Sequence, residues 1–289
     1  MTDVAFLGTG LLGGALVEAA ARRGGDRITV WNRTADKARA LEQFGVAAAA
    51  SPAEAVRGAQ RVHLVLKDDL VVEEVVEAMR PGLGADSVIC DHSTTQPAAT
   101  AARARRLSAE GVRYLHCPVF IGPAAARAGQ GSILAAGPRT LFDEVEPALA
   151  RMAARVQYVG ERADLAAIYK LCGNAYIIGI NALVADVFAI AAGADVGPAE
   201  TLPILELFNP GAVITGRARN MLARDYTPNF ELAMARKDVR LMVETAGDLP
   251  LSALPGIAAR MDVLISQGRG AEDTAVMGDD AVRGASPPA

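Results

Sequence analysis

The chain has 289 residues, of which 51% are hydrophobic and 21% are charged, so it is long enough to bury a sizeable core in two domains. The formal net charge of -4 implies no broad cationic surface and argues against nucleic acid or an anionic membrane as the main partner. The first residues lack a basic stretch followed by an apolar one, so no signal peptide is expected.

Cysteine usage indicates the compartment. Cys90, Cys117 and Cys172 show neither a CxxC pair nor a Cys/His spacing typical of a metal site. A small, odd number of cysteines is typical of free thiols in a reducing compartment. We therefore expect a cytoplasmic protein that holds no metal.

The first half of the chain alternates short β-branched runs with Ala-, Leu- and Arg-rich stretches of helical period. The predicted strands cover residues 4–8, 27–32, 61–66, 87–91, 112–117 and 132–137. Helices are predicted at 11–23 and 35–45. This alternation predicts βαβ units and a mostly parallel, doubly wound α/β sheet.

A glycine-rich loop, GTGLLG, follows the first predicted strand and begins a helix. Gly8 allows a tight turn, Gly10 lets a pyrophosphate approach the backbone, and Gly13 lets the helix pack close to the sheet. The free N–H groups at the start of the helix favour an anion. The pattern predicts a dinucleotide site formed by Gly8, Thr9, Gly10, Leu11, Leu12 and Gly13.

The segment after the second predicted strand favours NADP(H) over NAD(H). An NAD site usually carries Asp or Glu here to bind the ribose 2′-hydroxyl. This chain instead has Asn32, Arg33 and Thr34, with Lys37 one turn later. Arg33 can bind a 2′-phosphate and Thr34 can donate a hydrogen bond to it, while the neutral Asn32 does not repel it. The alternative is that Arg33 is a solvated surface residue.

Two further loops are predicted at the carboxyl ends of strands, where folds of this kind hold their ligands. Leu66 and Lys67 begin one loop, and Ser93 and Thr94 lie in the other. We expect the first pair to contact the cofactor. The two hydroxyl groups are expected to bind a cofactor ribose or a polar group of the substrate. The alternative is that one of them caps the following helix, and both roles can coexist.

The three histidines are not expected to act as acids or bases. His92 lies in the second of these loops without a visible partner, so a solvated side chain is expected. His63 and His116 lie inside predicted strands and are expected to be structural.

The pattern changes near residue 160, after which strand signals almost disappear. We predict a dinucleotide-binding domain at 1–160 and a second, all-helical domain at 161–278, whose role as a substrate and dimerisation domain is implied by the family resemblance given below. Within the second domain, helices are expected to break at the FNPG, YTP and DLPLSALPG segments. Residues 279–289 are expected to form a disordered tail.

One long helix is predicted at 163–192. Its apolar run is short for a membrane span and contains Asn181 and Asp186. We therefore expect a buried core helix or an interface helix. Because a helix that is apolar on most sides needs neighbours on most sides, a second copy of the chain is a plausible partner.

Lys170 and Asn174 are four residues apart in this long helix, so they lie on one face of it. Hydride transfer to a carbonyl leaves negative charge on oxygen, which a proton donor must neutralise. A lysine can donate that proton when its surroundings lower its pKa. The alternative is that Lys170 begins the helix at the surface and extends its ammonium into water.

Several segments, in the right order along nearly the whole chain, resemble the β-hydroxyacid dehydrogenase family. This family includes 3-hydroxyisobutyrate dehydrogenase, glyoxylate and succinic semialdehyde reductases and the related imine reductases. The resemblance implies a Rossmann domain, a long connecting helix, an all-α C-terminal domain that forms a homodimer, and reversible hydride transfer at a carbonyl or alcohol carbon. The segments are VAFLGTGLLGG with WNRT, DHSTTQP, CPVFIGP, YKLCGN, ARKDV and GRGAEDT.

The same resemblance implies roles for individual residues. Lys170 and Asn174 match the catalytic lysine and asparagine, and Lys237 matches a lysine that reaches the active site from the second domain and is assigned to the cofactor. The alternative for Lys237 is a surface ion pair with Asp238. The substrate residues that follow from this match are Ser93, Phe120, Ile121, Gly122, Lys170 and Asn174.

Two departures from the family pattern bear on the substrate. Members that bind small carboxylates usually read PVSGG where this chain has Phe120 and Ile121 followed by Gly122. Asp164 and Ala166 stand where family glycines precede the lysine. A simple hydroxyisobutyrate-like acid is therefore in doubt, and a more apolar substrate becomes plausible.

These observations predict an NADP-dependent oxidoreductase that acts on a small carbonyl or hydroxy compound. An imine reductase is the alternative enzyme: Lys170 favours a carbonyl, whereas the apolar loop at 120–122 favours an imine. The alternative from another class is a non-catalytic, NADP-sensing homodimer.

Overall fold

The computed structural model describes residues 1–207 and 210–282 of the chain. These residues belong to two compact units, of which the first comprises Met1–Asn174 and the second begins at Ala175. The unit boundary predicted at residue 160 is therefore placed too early.

Local packing explains this difference. Ala166 is buried in one cluster with Leu134 and Ala136, which lie on a strand of the first unit. The first residues of the long helix therefore pack as part of the first unit's core. The sequence pattern shows only where the strands end and contains no information on this contact.

The first unit has an α/β architecture. Its strands are β1 (Thr2–Leu7), β2 (Asp26–Trp31), β3 (Ala47–Ala48), β4 (Arg61–Leu64), β5 (Val88–Asp91), β6 (Arg113–His116), β7 (Val119–Phe120), β8 (Ser132–Ala136) and β9 (Arg155–Gly160). Its helices are α1 (Leu11–Arg23), α2 (Ala35–Arg39), α3 (Pro52–Ala55), α4 (Asp69–Met79), α5 (Pro97–Ala109), α6 (Pro123–Arg127) and α7 (Arg139–Leu149). Short 3₁₀ turns occupy Glu42–Phe44 and Arg80–Gly82.

The strands form one sheet in the order β3-β2-β1-β4-β5-β6-β8-β7, with β9 paired to β8. Strands β3 to β6 along this order are parallel, and β8 runs antiparallel to both β6 and β7. After β3 the chain crosses back over β1 and forms β4 on the other side of it. The strand order therefore reverses between β1 and β4, and the loops after these two strands are neighbours. Sheets of this kind bind their ligands at that crevice.

Alternation along β1 shows why the sheet is covered on both faces. Val4 and Phe6 belong to one buried cluster, whereas Ala5 and Leu7 belong to another. Because successive side chains of a strand point to opposite faces, the continuous apolar run of β1 supplies both layers of core at once. The mostly parallel, doubly wound sheet predicted from the sequence is confirmed.

The sequence pattern missed three strands. Two of them, β3 and β7, have only two residues each, whereas β9 has six. The helix predicted at 35–45 is interrupted: α2 ends at Arg39, and a 3₁₀ turn leads to Gly45, whose φ is +80°. Helix α1 has the predicted bounds.

The second unit is helical throughout the residues described. The long helix α8 (Leu165–Gly193) leads into it and is followed by α9 (Pro198–Leu207), α10 (Pro210–Ala223), α11 (Leu232–Ala246) and α12 (Leu254–Ser266). The break predicted at YTP falls between α10 and α11. The one predicted at DLPLSALPG falls between α11 and α12, except that the last three residues of this segment form the start of α12. The break predicted at FNPG falls partly on Phe208 and Asn209, which lie outside the described residues.

The start of the disordered tail was predicted too early, at residue 279. After a 3₁₀ turn at Thr274–Gly278, residues Asp279–Val282 form the short helix α13. Asp279 is buried and accepts hydrogen bonds from Arg224, Tyr226 and Arg269. These three donors hold the segment in place. The rest of the predicted tail, 283–289, lies outside the described residues.

Helix α8 is unusually apolar, with a mean hydropathy of 2.0, and by length and composition alone it could cross a membrane. One such helix is weak evidence, since core helices of soluble proteins pass the same test. Only 6% of its most apolar window is buried within this chain. Within a single chain, α8 is therefore not a buried core helix. Its role as an interface helix stays a prediction.

Asp186, one of the two polar residues inside this apolar helix, has a structural role. Its buried carboxylate accepts hydrogen bonds from the backbone N–H groups of Ser252, Ala253 and Leu254, at 2.6, 2.9 and 2.8 Å. Burial alone would raise the pKa of Asp186, but these three donors outweigh burial and lower it. The acid thus caps the start of α12.

We expect Asp186→Ala to lower the free energy of unfolding by about 2–3 kcal/mol, because three buried N–H groups lose a charged acceptor. Since the native pKa of Asp186 is lowered, the difference from wild type should be full above the ordinary aspartate pKa and shrink as pH falls through the native value. Urea unfolding at several pH values, with amide hydrogen exchange at Ser252–Leu254, measures both effects. The exposed Asp248→Ala is the control, and equal loss in both variants would contradict the capping role.

Candidate functional site

The glycine-rich loop after β1 has the backbone geometry of a phosphate site. Gly8 has a φ of +98°, and a Cβ there would lie 2.2 Å from the Val65 carbonyl oxygen. A Cβ on Gly13 would lie 1.9 Å from the carbonyl oxygen of Gly8. No atom lies within 4 Å of a Cβ built on Gly10, so the space above it is open for a ligand. Each glycine thus has the geometry that its predicted role requires.

The start of α1 supplies donors to the same space. Gly10, the N-cap residue, has no side chain to cap the helix, and among the described residues no side chain accepts from the first N–H groups of α1. Thr9 donates its backbone N–H to Asn32 Oδ1 at 3.0 Å, while its buried hydroxyl has no partner among the described residues. Asn32 therefore braces the loop, which the sequence pattern did not predict for it.

A groove of about 470 Å³ begins at this loop and follows the carboxyl end of β2. Arg33 and Lys37 line it, and neither has an acidic partner within salt-bridge distance in the described parts of the chain. Thr34 lies between them at the N-cap position of α2. The groove is lined by Gly8, Gly10, Trp31, Asn32, Arg33, Thr34, Lys37, Pro52, Val65, Leu66, Lys67, Val71, Glu74, Val75 and Ala78.

A second pocket, of about 410 Å³, shares Gly10, Val65, Leu66 and Lys67 with this groove. It brings together residues that the sequence assigned to the cofactor, to the substrate and to catalysis. Its lining consists of Gly10, Leu11, Leu12, Gly13, Val65, Leu66, Lys67, His92, Ser93, Thr94, Val119, Ile121 and Lys170. These residues come from five separate segments, so the fold gathers most of the predicted site in one place.

Ser93 joins two of the loops that line this pocket. Its hydroxyl accepts a hydrogen bond from the Leu66 N–H at 3.0 Å, and its own N–H donates to Asp91 Oδ1 at 3.0 Å. The alternative that Ser93 or Thr94 caps α5 is wrong, because Gln96 is the N-cap residue and accepts from the Ala99 N–H at 2.8 Å. Thr94 is exposed at the pocket.

Lys170 is buried, with 9% of its surface exposed, so the alternative of a surface lysine extended into water is wrong. Its Nζ donates to Asn174 Oδ1 at 2.8 Å and lies 4.1 Å from the ring centroid of Phe120. Burial lowers the pKa of Lys170 below the ordinary lysine value of 10.5. The pair predicted from helical spacing is therefore present as a buried amine held by an amide.

Arg103 is a residue of this site that sequence reasoning missed. Its fully buried guanidinium contacts Asp69 Oδ1 at 2.8 Å, Glu73 Oε1 at 2.7 Å and Asp91 Oδ2 at 3.6 Å. A signal existed: Arg103 lies with Thr100 and Leu107 on the buried face of α5, where an arginine is out of place unless it is paired.

The acids around Arg103 connect it to the loops beside the pocket. Asp91 Oδ1 accepts from the Ser93 N–H, and Asp69 Oδ2 accepts from the Gln96 N–H at 2.8 Å. One buried cation therefore holds the loop after β4 and the loop after β5 together.

The three histidines are buried behind the same loop. His63 Nδ1 bonds to His92 Nε2 at 2.9 Å, and His92 Nδ1 donates to the Cys117 carbonyl at 2.7 Å. His116 Nε2 donates to the Ser93 carbonyl at 3.1 Å. Burial lowers the pKa of all three side chains. The expectation of a solvated His92 is wrong, because two hydrogen bonds hold its ring inside.

Of the predicted residues, Gly8, Asn32, Arg33 and Thr34 line the groove rather than this pocket, and five others line neither: Thr9, Phe120, Gly122, Asn174 and Lys237. Gly122 is exposed at the N-cap of α6. Lys237 lies in the second unit on α11, where its Nζ is 2.9 Å from Asp238 Oδ1. The surface-pair alternative therefore describes the contact that Lys237 makes, and its role at the cofactor stays a prediction.

The residues at the loop fit a dinucleotide. An uncapped helix start, an open face at Gly10, an orphaned Thr9 hydroxyl and two cations without acidic partners match a pyrophosphate and a phosphorylated ribose. Among the residues described, no group of three or more His, Cys, Asp or Glu side chains is placed to hold a metal ion.

Comparison with known families decides the assignment. The model of the family described as the NAD binding domain of 6-phosphogluconate dehydrogenase matches residues 3–160, which is more than half of the chain. This chain belongs to that family. It carries the family's nicotinamide dinucleotide-binding domain and is an oxidoreductase that uses a nicotinamide cofactor.

Curated relatives match most of the chain, well beyond residue 160. Glyoxylate/succinic semialdehyde reductase 1 of Arabidopsis thaliana is 29% identical over 87% of this chain and 89% of its own length. 3-hydroxyisobutyrate dehydrogenase of Pseudomonas aeruginosa is 26% identical over 90% of each. Cytokine-like nuclear factor N-PAC of Homo sapiens is 28% identical over 90% of this chain, which spans only 47% of that protein.

Solved structures share the whole fold. A reductive aminase from Aspergillus terreus, in complex with NADPH and ethyl levulinate, superimposes with a TM-score of 0.87 at 23% identity. The match covers 97% of this chain and 99% of the other. At that identity the likeness shows the fold alone.

Two adjacent glycines of the dinucleotide-binding domain give a matched test of the loop. Gly13→Ala places a Cβ 1.9 Å from the Gly8 carbonyl, whereas a Cβ on Gly14 meets the Thr9 carbonyl only at 3.7 Å. We expect Gly13→Ala to raise the dissociation constant for NADPH by about tenfold or more, and Gly14→Ala to change it by less than about twofold. Fluorescence titration measures both, and similar values for the two variants would contradict the assigned geometry.

Proposed function

We propose that this protein is an NADP(H)-dependent oxidoreductase that transfers hydride between the cofactor and a small, largely apolar carbonyl or hydroxy compound. The observation that carries the proposal is a buried lysine, Lys170, in a pocket that shares the wall formed by the glycine-rich loop. A buried amine beside a nicotinamide site is placed for proton transfer rather than for solubility.

The cofactor would be held by the loop and by the groove beside it. Leu11, Leu12 and Gly13 present their N–H groups to the pyrophosphate at the start of α1. Arg33 and Lys37 bind the 2′-phosphate, with Thr34 as an added donor. Leu66 and Lys67 flank the cofactor from the loop after β4. Bound NADPH supplies the hydride.

Lys170 supplies the matching proton. In the direction of reduction the ammonium protonates the oxygen on which negative charge develops, and in the direction of oxidation the neutral amine removes that proton. Burial lowers the pKa of Lys170, which brings the two forms closer in population at working pH. Carbonyl reduction should therefore decline as pH rises through that lowered pKa.

Asn174 and Ser93 would position the reacting group. Because an ammonium only donates, the Asn174 atom facing Lys170 is Oδ1, which leaves Nδ2 as a donor for the substrate oxygen. Ser93 Oγ accepts from Leu66 and has its own proton left to donate. Ile121 and Val119 form the apolar wall against the rest of the substrate.

Two alternatives keep specific support. An imine reductase fits the apolar Phe120–Ile121 segment and the fold of the reductive aminase. A non-catalytic NADP sensor fits the relative that is named a nuclear factor. A screen of NADPH oxidation against aldehydes, keto acids and cyclic imines separates the three, since tight cofactor binding without turnover on any of them favours the sensor.

We also propose a homodimer in the cytoplasm. In the described part of the second unit, large apolar side chains remain exposed, among them Ile178 at 66% and Val213 at 53%. A second copy of the chain is the partner that would cover such surface. Free Cys90, Cys117 and Cys172 suit a reducing compartment. Light scattering on a size-exclusion column tests the dimer.

Cofactor choice depends on two cations. We expect the double variant Arg33→Ala/Lys37→Ala to raise the dissociation constant for NADPH by about 10- to 100-fold, since two charge-assisted contacts are lost, and to leave that for NADH within about threefold. Calorimetric titration of both nucleotides measures this. Arg39→Ala, on the same helix but paired with Asp36, is the control. Equal weakening of NADPH and NADH would contradict recognition of the 2′-phosphate.

Proton transfer depends on Lys170. We expect Lys170→Ala to lower kcat by a factor of about 100 or more on the best substrate of the screen, while NADPH binding persists. Steady-state kinetics and fluorescence titration measure the two quantities, with the nearby exposed Cys172→Ala as control. Turnover close to wild type in Lys170→Ala would remove this lysine from the mechanism.

A further inference from the structure

Phe120 makes a contact with Lys170 that the proposed reaction does not itself require. The Lys170 ammonium lies 4.1 Å from the centre of the Phe120 ring, which is the range of a cation–π interaction. Within the described residues the only hydrogen bond of this ammonium goes to Asn174 Oδ1. The ring is therefore the second of two groups that hold the charged end of the lysine.

Gly173 makes room for that ring. A Cβ built on Gly173 would lie 2.3 Å from Cζ of Phe120 and 2.7 Å from its Cε1. Any side chain at this position would push the ring away. Glycine in a helix interior costs about 0.5–1 kcal/mol relative to alanine, so its presence beside the lysine needs a reason. Gly179, in the same helix, has no atom within 4 Å of a built Cβ.

The Phe120 ring affects the protonation of the Lys170 amine as well as its position. Burial favours the neutral amine, whereas the negative face of an aromatic ring favours the ammonium. Phe120 therefore opposes part of the effect of burial. Without the ring, an equally buried amine would be neutral more of the time and freer to rotate away from Asn174.

We propose that Phe120, seated against Gly173, is a positioning residue that fixes the ammonium of Lys170 and keeps it protonated in its buried site. The consequence for turnover rests on the proposed function, because it requires that Lys170 donate a proton. The effect on the amine itself does not, and it is present in the protein without cofactor or substrate.

Competitive labelling with acetic anhydride over a range of pH measures this effect directly, with mass spectrometry reporting each lysine. The midpoint of the labelling curve follows the proton affinity of Lys170, and the plateau follows its accessibility. We expect Phe120→Met, which keeps an apolar side chain of similar size, to shift the midpoint to lower pH, so that labelling on the rising part of the curve is roughly threefold faster. Phe120→Leu, which lacks an aromatic face as methionine does, should shift the midpoint in the same direction.

Gly173→Ala tests the seat of the ring independently of Phe120. We expect it to shift the midpoint in the same direction as Phe120→Met, and the double variant to shift no further, because both changes remove one interaction. Gly179→Ala is the matched control in the same helix and should not move the midpoint. The exposed Lys67, labelled in the same samples, is the internal reference for reagent reactivity, and circular dichroism reports whether each variant keeps its fold.

A Lys170 midpoint that stays unchanged or rises in Phe120→Met overturns the proposal, because the ring would then act only as a shield. Additive shifts in the double variant overturn the pairing with Gly173. If the midpoint shifts as expected while Lys170→Ala keeps its turnover, the positioning of the amine stands and the proposed function fails.

Discussion

The close approach of the Gly8 main chain to the Val65 carbonyl fixes the geometry on which the rest of the site depends. A single Cβ at Gly8 would come within 2.2 Å of that oxygen, so the loops after β1 and β4 can meet only because residue 8 is glycine. The groove and the second pocket are both lined by Val65 and by Gly10 of the glycine-rich loop. A cofactor in the one would therefore lie next to a reacting group in the other.

A buried ion cluster extends this constraint to the loop after β5. Arg103 has no exposed side-chain surface and is surrounded by Asp69, Glu73 and Asp91. Replacing such a cluster by apolar residues is often neutral or stabilising, so stability alone gives no reason to keep it. Its acids, however, bind the N–H groups of Ser93 and Gln96, which gives the cluster a positional role. The loop that carries Ser93 is thus held from behind by charge and by the His116 side chain.

The sequence could predict what depends on local pattern. The alternation of apolar runs and the order of strand, glycine loop and helix gave the sheet and the bounds of α1, and the four-residue spacing gave the pairing of Lys170 with Asn174. What it could not give depends on contacts between distant segments. The two-residue strands, the unit boundary after Asn174 and the burial of His92 follow from packing partners that no local window contains.

Asn32 and Phe120 show the same limit inside the site. Both were assigned to ligands from their place in a motif, yet Asn32 accepts the Thr9 N–H, and Phe120 covers the Lys170 ammonium. The family fold fixes where such residues stand, and their neighbours decide what each does. Because the aromatic ring and the amide bind one ammonium from two sides, the chemistry available to Lys170 is set by residues that touch it rather than by the lysine alone. Relatives that share this fold and differ at these contacts can therefore reduce different compounds with the same arrangement of strands and helices.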